Sequence, residues 1–135
     1  MNEAVEMPKF VSSSIFRVRN LHILERLVKC LKEEFNLTYH EIAILLNRND
    51  RTIWTSYNRA KSKAVRKLPK EEDVLIPLEV FRDRSVSVLE SMIRYMKEEL
   101  NLRYHEMAIL LNRNDRTVWT VYNRVKRKLK DKTNK

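Results

Sequence analysis

The sequence predicts an all-α chain in which one three-helix unit is built twice, each copy preceded by an extended arm. Three observations carry this. The stretch Leu37 to Arg59 returns sixty-five residues later as Leu102 to Arg124, and Ala43–Thr52 and Ala108–Thr117 are the same letter for letter. Apolar residues recur at helical spacing through both copies. The chain of 135 residues contains no glycine, which leaves asparagine as the best residue for a left-handed turn between helices. The expected organisation is a flexible lead over 1–14, a first unit over 15–68, a linker over 69–77, a second unit over 78–130 and a basic tail over 131–135.

In the lead, Pro8 and the run Ser12-Ser13-Ser14 oppose a helix. The arms follow as Ile15-Phe16-Arg17-Val18-Arg19 and, in the second copy, Val80-Phe81-Arg82-Asp83-Arg84. The preferred reading seats Phe16 and Phe81 in the core and leaves the arginines solvated. One alternative sends those arginines into a minor groove, as some DNA-binding arms do. Another pairs the arms as short strands, since Ile76, Leu78 and Val80 alternate.

The first helix of the first unit is expected over about Ile23–Phe35, with Leu24, Leu27, Val28, Leu31 and Phe35 on one stripe. The second-unit stripe is Leu89, Met92, Ile93, Met96 and Leu100. Ser87 with Glu90 reads as a capping box, while His22 with Glu25 is a weaker cap. Lys32-Glu33-Glu34 and Lys97-Glu98-Glu99 read as solvated faces, and Asn36 and Asn101 end these helices. Thr38 with Glu41 starts a short second helix whose apolar face is Ile42, Ala43, Leu45 and Leu46. Asn47 sits where that helix must turn, and Asn49 or Asp50 caps the next. In that third helix Thr52, Ile53, Tyr57 and Ala60 face inward, whereas Arg51, Trp54, Thr55, Asn58 and Ser62 fall on the outer face. It extends to about Lys67, because Pro69 disfavours helix at Leu68. In the second copy the helix carries Arg124, Lys126, Arg127, Lys128, Lys130 and Lys132, and the tail from Asp131 is expected to fray.

Two short helices joined by an Asn-Arg turn, the second with a polar outer face, make a helix-turn-helix. The segment from Leu37 to Lys63 resembles the helix-turn-helix of sigma-factor region 4 and of related response-regulator output domains. The likeness lies in Leu37, Glu41-Ile42-Ala43, Leu46, Thr52-Ile53 and Arg59-Ala60-Lys61. In the second copy it lies in Leu102, Glu106-Met107-Ala108, Leu111, Thr117-Val118 and Arg124-Val125-Lys126. It covers about 30 residues of each unit. The turn carries Asn47-Arg48 and Asn112-Arg113 where the family usually has glycine and an aliphatic residue. Trp54 and Trp119 stand where it mostly has polar residues. The resemblance implies the fold and a second helix presented to DNA; it implies no particular promoter sequence.

Composition points the same way. The net charge is +10 with 34% charged residues, which favours a polyanionic partner, nucleic acid first. Cys30 is the only cysteine and its counterpart is Tyr95, so no disulfide or metal framework is expected. No apolar run approaches the ~18 residues of a membrane span, and no signal peptide is visible at the start. The expected setting is the cytoplasm, in association with the nucleoid. His40-Glu41 and His105-Glu106 are adjacent pairs that point to different helix faces and lack a further ligand at metal spacing. With no nucleophile–base pair, glycine-rich phosphate loop or carboxylate cluster, the chain is not expected to be an enzyme, and neither cofactor nor small-molecule ligand is implied.

The candidate DNA-binding residues are Arg48, Arg51, Trp54, Thr55, Asn58, Arg59 and Lys61, with Arg113, Arg116, Trp119, Thr120, Asn123, Arg124 and Lys126 in the second copy. Arg51 and Arg116, in the first turn of the recognition helix, suit bidentate contact with guanine; the plainer reading is an ion pair with Asp50 or Glu41 and their copies. Asn58 and Asn123 suit adenine, Thr55 and Thr120 a phosphate or thymine methyl. Arg48 and Arg113 suit a phosphate clamp or plain solvation. Trp54 and Trp119 either touch sugar and methyl groups or fold over the helix pair as extra core. Tyr57 and Tyr122 read as core, with the hydroxyl in reach of a phosphate. The partner expected is double-stranded DNA bound by two near-identical helices in adjacent major grooves, for a small transcription regulator or a nucleoid-type architectural protein. A protein-interaction module docking on the transcription machinery is the alternative; structured RNA ranks lower, because a helix cannot read its narrow major groove. Self-association stays open. So does the arrangement of the units: the ~60 Å span of an extended linker exceeds the ~34 Å between successive major grooves and permits either a direct repeat or a twofold pair.

Overall fold

The computed structural model describes residues 7–17, 22–63 and 74–133, and within them the chain is mostly helical. Strand β1 (Phe10–Ser12) leads into a 3-10 helix (Ser13–Phe16), then α1 (Ile23–Glu33), α2 (Tyr39–Leu46) and α3 (Asp50–Ala60). The order repeats as β2 (Leu75–Pro77), a 3-10 helix (Leu78–Arg82), α4 (Val88–Glu98), α5 (Tyr104–Leu111) and α6 (Asp115–Thr133).

Local chemistry sets these limits. Thr38 Oγ1 accepts from the Glu41 N–H at 3.1 Å while Glu41 Oε1 accepts from the Thr38 N–H at 2.9 Å, closing the expected capping box. Ser87 and Glu90 form the same box at α4, whereas His22 caps α1 with no side-chain bond. Asn49 Oδ1 accepts from the Thr52 N–H at 2.8 Å, and Asn114 does the same for Thr117 at 2.7 Å. Asn36, Asn47, Asn101 and Asn112 all take left-handed φ angles between 52° and 56°, the work a glycine would otherwise do. The α1 stripe buries Leu27, Val28 and Leu31 as expected and half-buries Leu24, but Phe35 lies past the end of α1 and stays exposed.

The arms differ most from expectation. They are 3-10 turns preceded by strands, not extended segments, and β1 begins inside the stretch read as a flexible lead. Phe16 and Phe81 are fully buried, as expected, but their rings meet each other at 6.0 Å between centroids. Each arm packs on the other unit. Arg82 Nη1 donates to the Ile44 carbonyl at 2.6 Å, at the end of α2, and Arg17 Nε donates to the Leu110 carbonyl at 3.2 Å, at the end of α5. Asn47 Nδ2 returns a bond to the Arg82 carbonyl at 2.9 Å, and Asn112 Nδ2 one to the Arg17 carbonyl at 3.1 Å. Arg17 is buried rather than solvated. A helix leaves its last carbonyls without partners, so a guanidinium placed there is held by geometry and by the helix dipole. Arg19 and the linker residues 64–73 lie outside the described residues, as does any helix from residue 64 to Lys67.

Strands β1 and β2 pair antiparallel with Val11 opposite Ile76. Those two residues occupy the same place in their respective repeats, as do Phe16 and Phe81. Beside them Ser13 N–H donates to the Val74 carbonyl at 2.8 Å, and Leu78 N–H to the Lys9 carbonyl at 2.9 Å, again equivalent bonds. The two units are therefore related by a pseudo-twofold axis through Val11/Ile76 and Phe16/Phe81. One core runs through both, and it resolves the marginal size of either unit alone. Helix α6 continues to Thr133, past the point where fraying was expected.

Candidate nucleic-acid interface

Helix α3 packs its inner side on α1 and α2, and α6 does the same on α4 and α5. Ile53, Ser56 and Ala60 are buried on α3; Val118, Val121 and Val125 are their buried counterparts on α6. Thr52 and Tyr57 are half-buried at the edge of this face. Arg51 and Arg116 project outward, exposed, and neither side chain has a partner among the described residues. The ion pair weighed for Arg51 does not form. Asp50 instead accepts from, or is met by, His40 Nδ1 at 3.1 Å, with Asp115 and His105 alike, and Glu41 is held in its capping box.

Trp54 and Trp119 are each 53% exposed, so they extend the outer face and not the core. Asn58 Nδ2 donates to the Trp54 carbonyl at 2.8 Å and Asn123 Nδ2 to the Trp119 carbonyl at 2.8 Å. This bond fixes each amide beside its tryptophan. Thr55 is half-buried and Thr120 exposed. Arg59, Lys61 and Lys126 are exposed on the same side.

Arg124, an expected DNA ligand, and two further cations at the helix ends are committed within the fold. Arg124 Nε donates to Glu90 Oε2 at 2.9 Å, and Lys128 Nζ to Glu90 Oε1 at 2.9 Å. Lys63 Nζ donates to Glu25 Oε1 at 3.1 Å in the first unit. These cations anchor the end of the outer helix to buried carboxylates near the start of the first helix of its unit, so their charge is partly spent within the fold. Glu90 is 1% exposed. Burial pushes its carboxyl pKa up, but the Ser87 N–H and the Lys128 and Arg124 cations outweigh this and hold it at about 2. The sequence signal for this anchor was present, since Glu25 and Glu90 sit beside their helices' apolar stripes, but capping explained Glu90 without it.

Arg48 and Arg113 are half-buried in the turns, neither clamping outward nor plainly solvated. Arg48 Nη1 donates to the Leu46 carbonyl at 2.8 Å and Arg113 Nη1 to the Leu111 carbonyl at 3.2 Å. Burial and the nearby Arg84 guanidinium both lower the Arg48 pKa. Both arginines line an open cleft of about 740 Å³, together with His22, Lys63, Arg84, Lys128 and the carboxylate of Glu90 that holds Lys128. Arg48 and Arg113 are repeat counterparts, as are Lys63 and Lys128, so this cationic cleft lies on the pseudo-twofold axis.

The tyrosines and the charged ends of α1 and α4 form a second set of contacts. Tyr57 Oη donates to Glu33 Oε2 at 3.1 Å and Tyr122 Oη to Glu98 Oε2 at 3.2 Å, so neither hydroxyl is spare for a phosphate. Both phenols are raised in pKa by burial and by that carboxylate. Lys32 Nζ lies 4.5 Å over the Tyr39 ring, and Lys97 Nζ 4.3 Å over Tyr104. These charged triplets are thus working contacts and not merely solvated. Cys30 is buried with its thiol against Glu34, which together push its pKa up to about 12 and make it unreactive.

No protein-family model matches the chain, and no curated protein or solved structure matches it. Among the described residues no helix is long and apolar enough to cross a membrane, and no group of three metal-binding side chains forms.

Proposed function

We propose that the chain is a double-stranded DNA-binding protein built from two helix-turn-helix units, with α3 and α6 as recognition helices in adjacent major grooves. One observation carries this reading. On α3 all three buried residues, Ile53, Ser56 and Ala60, differ from their counterparts Val118, Val121 and Val125. The outward residues Arg51, Trp54, Thr55, Asn58, Arg59 and Lys61 are identical to Arg116, Trp119, Thr120, Asn123, Arg124 and Lys126, and only Ser62, at the end of the face, differs from its counterpart Arg127. The buried face has thus changed in volume and polarity, each change requiring the neighbouring packing to adjust. An exposed face has no such packing reason to stay the same, and a shared external partner supplies one. The face is cationic, bears amide and hydroxyl groups suited to base edges, and belongs to a chain of net charge +10.

No catalytic or effector domain is needed for such a protein to act by occupancy or by shaping DNA, as a small regulator or a nucleoid-type architectural protein. The exposed, identical Ile44 and Ile109 favour a second reading, in which α2 and α5 dock on a protein of the transcription machinery. The test is duplex binding by the double variant Arg51→Ala/Arg116→Ala, with far-ultraviolet circular dichroism as the fold control. Affinity is expected to fall roughly 30-fold or more, since each bidentate Arg–guanine pair contributes ~1–3 kcal/mol. Unchanged affinity with an intact fold would sink the assignment of these helices.

A further inference from the structure

Resting on that reading, we infer that the DNA the chain reads is an inverted repeat of two like half-sites, centred on the cationic cleft and bound by a single chain. The linker alone permits a direct or an inverted arrangement; the junction between the units does not. In a head-to-tail junction one surface meets a different surface. In a twofold junction each contact occurs twice with the roles exchanged, and residues on the axis meet their own counterparts. The chain has the second kind throughout. Val11 opposes Ile76, Phe16 meets Phe81, and the bonds from Asn47 to Arg82 and from Asn112 to Arg17 are each other's copies. Each arm is bound to the opposite unit, so the relation is fixed by packing and not left to the linker.

A duplex has local twofold axes perpendicular to its length. Two identical protein faces related by a twofold present the same side chains to the same groups when one of those axes coincides with theirs, and the sequence they read is then inverted about it. Arg48 and Arg113 lie directly before α3 and α6, and Lys63 and Lys128, turned to Glu25 and Glu90, lie towards the other end of the same outer helices, yet all four line the one cleft on the axis. The two outer helices therefore border a single opening on the axis, where one duplex would be centred. The minor groove between two half-sites would face this cleft, with exposed Arg84 at its edge.

The test is selection of the wild-type chain against a random duplex pool, followed by affinity and stoichiometry measurements on the enriched half-site arranged as inverted, direct and single copies. Two copies in inverted orientation are expected, spaced by one helical turn (~10 base pairs) or a multiple. The inverted pair should bind one chain per duplex, about 100-fold tighter than a single half-site, as linkage of two binding events allows. Enrichment of direct repeats, equal affinity for inverted and single sites, or one chain joining two duplexes would each overturn the inference while leaving DNA binding intact. Absence of binding to every duplex would instead overturn the proposed function.

Discussion

The two units share a backbone plan and an outer face but anchor their outer helices differently. In the first, buried Glu25 holds one cation among the described residues, Lys63. In the second, buried Glu90 holds two, Arg124 and Lys128, and also closes a capping box with Ser87. The start of the second helix differs as well: Thr38 caps α2, whereas Arg103 precedes α5 and is almost fully exposed. The lesson is that a repeated unit can change its internal fastenings while its presented surface stays fixed. It also predicts inequality between the two halves. Arg59 is uncommitted on the outer face, but its counterpart Arg124 is tied to Glu90.

The largest expected effect comes from the feature the units share. Phe16 and Phe81 are fully buried at the junction, and truncating either to alanine should cost about 3–5 kcal/mol. Since one core spans both units, the loss should appear in both at once. Trp54 and Trp119 supply one fluorophore per unit, so Trp119→Phe reports on the first and Trp54→Phe on the second. In either background Phe81→Ala should shift a single, coincident urea transition. Two separated transitions would show the units to be independent, and the pseudo-twofold junction would lose its energetic weight.

The next effect sharpens the difference. Glu90→Gln removes the buried carboxylate that accepts from two half-exposed cations, which can then hydrate, and should destabilise by roughly 1–3 kcal/mol, the range for lost hydrogen bonds to a charged group. Glu25→Gln disturbs one cation and should cost less. The pH dependence follows from the depressed carboxyl. Glu90 sits at about 2 when folded and near 4.5 when free, so its contribution is fully present above about 4.5 and is lost as pH falls toward 2. Thermal unfolding of the parent chain should therefore weaken over that window, and Glu90→Gln should flatten the fall. An equal acid profile in parent and variant would mean that the anchor does not act as the distances suggest.

These fastenings were also the hardest features to read in advance. Helix limits, capping boxes and the left-handed asparagines were legible because each depends on a few neighbouring residues: Thr38 with Glu41, Ser87 with Glu90, Asn47 at a turn without glycine. The outward direction of Arg51, Trp54, Thr55 and Asn58 followed from helical spacing. What was not legible depends on distant partners. Arg82 reaching Ile44 and Arg17 reaching Leu110 join opposite units, and no local pattern distinguishes such an arm from one meant for a minor groove. The placement of Lys63, Arg124 and Lys128 on buried carboxylates was hidden for the same reason, since a basic run at a helix end looks alike whether its charges face solvent, phosphate or glutamate. Trp54 stood between core and surface until the packing of α3 on α1 and α2 showed that its side was vacant.

The smallest effect tests whether the two units bear their turns alike. Asn36 and Asn101 hold φ near 56° and 55° at the ends of α1 and α4, before Leu37 and Leu102 enter the core. A left-handed backbone brings Cβ too close to the next carbonyl and costs roughly 1–2 kcal/mol, a penalty asparagine bears better than alanine. Asn36→Ala and Asn101→Ala should therefore each lower stability by about 1 kcal/mol, and the corresponding glycine variants should not. The turns are backbone features with the same geometry in both units, so the two losses should match within a few tenths of a kcal/mol, unlike the Glu25 and Glu90 losses. Unequal losses at these asparagines would place part of the asymmetry in the turns themselves, and the buried carboxylates would no longer account for it alone.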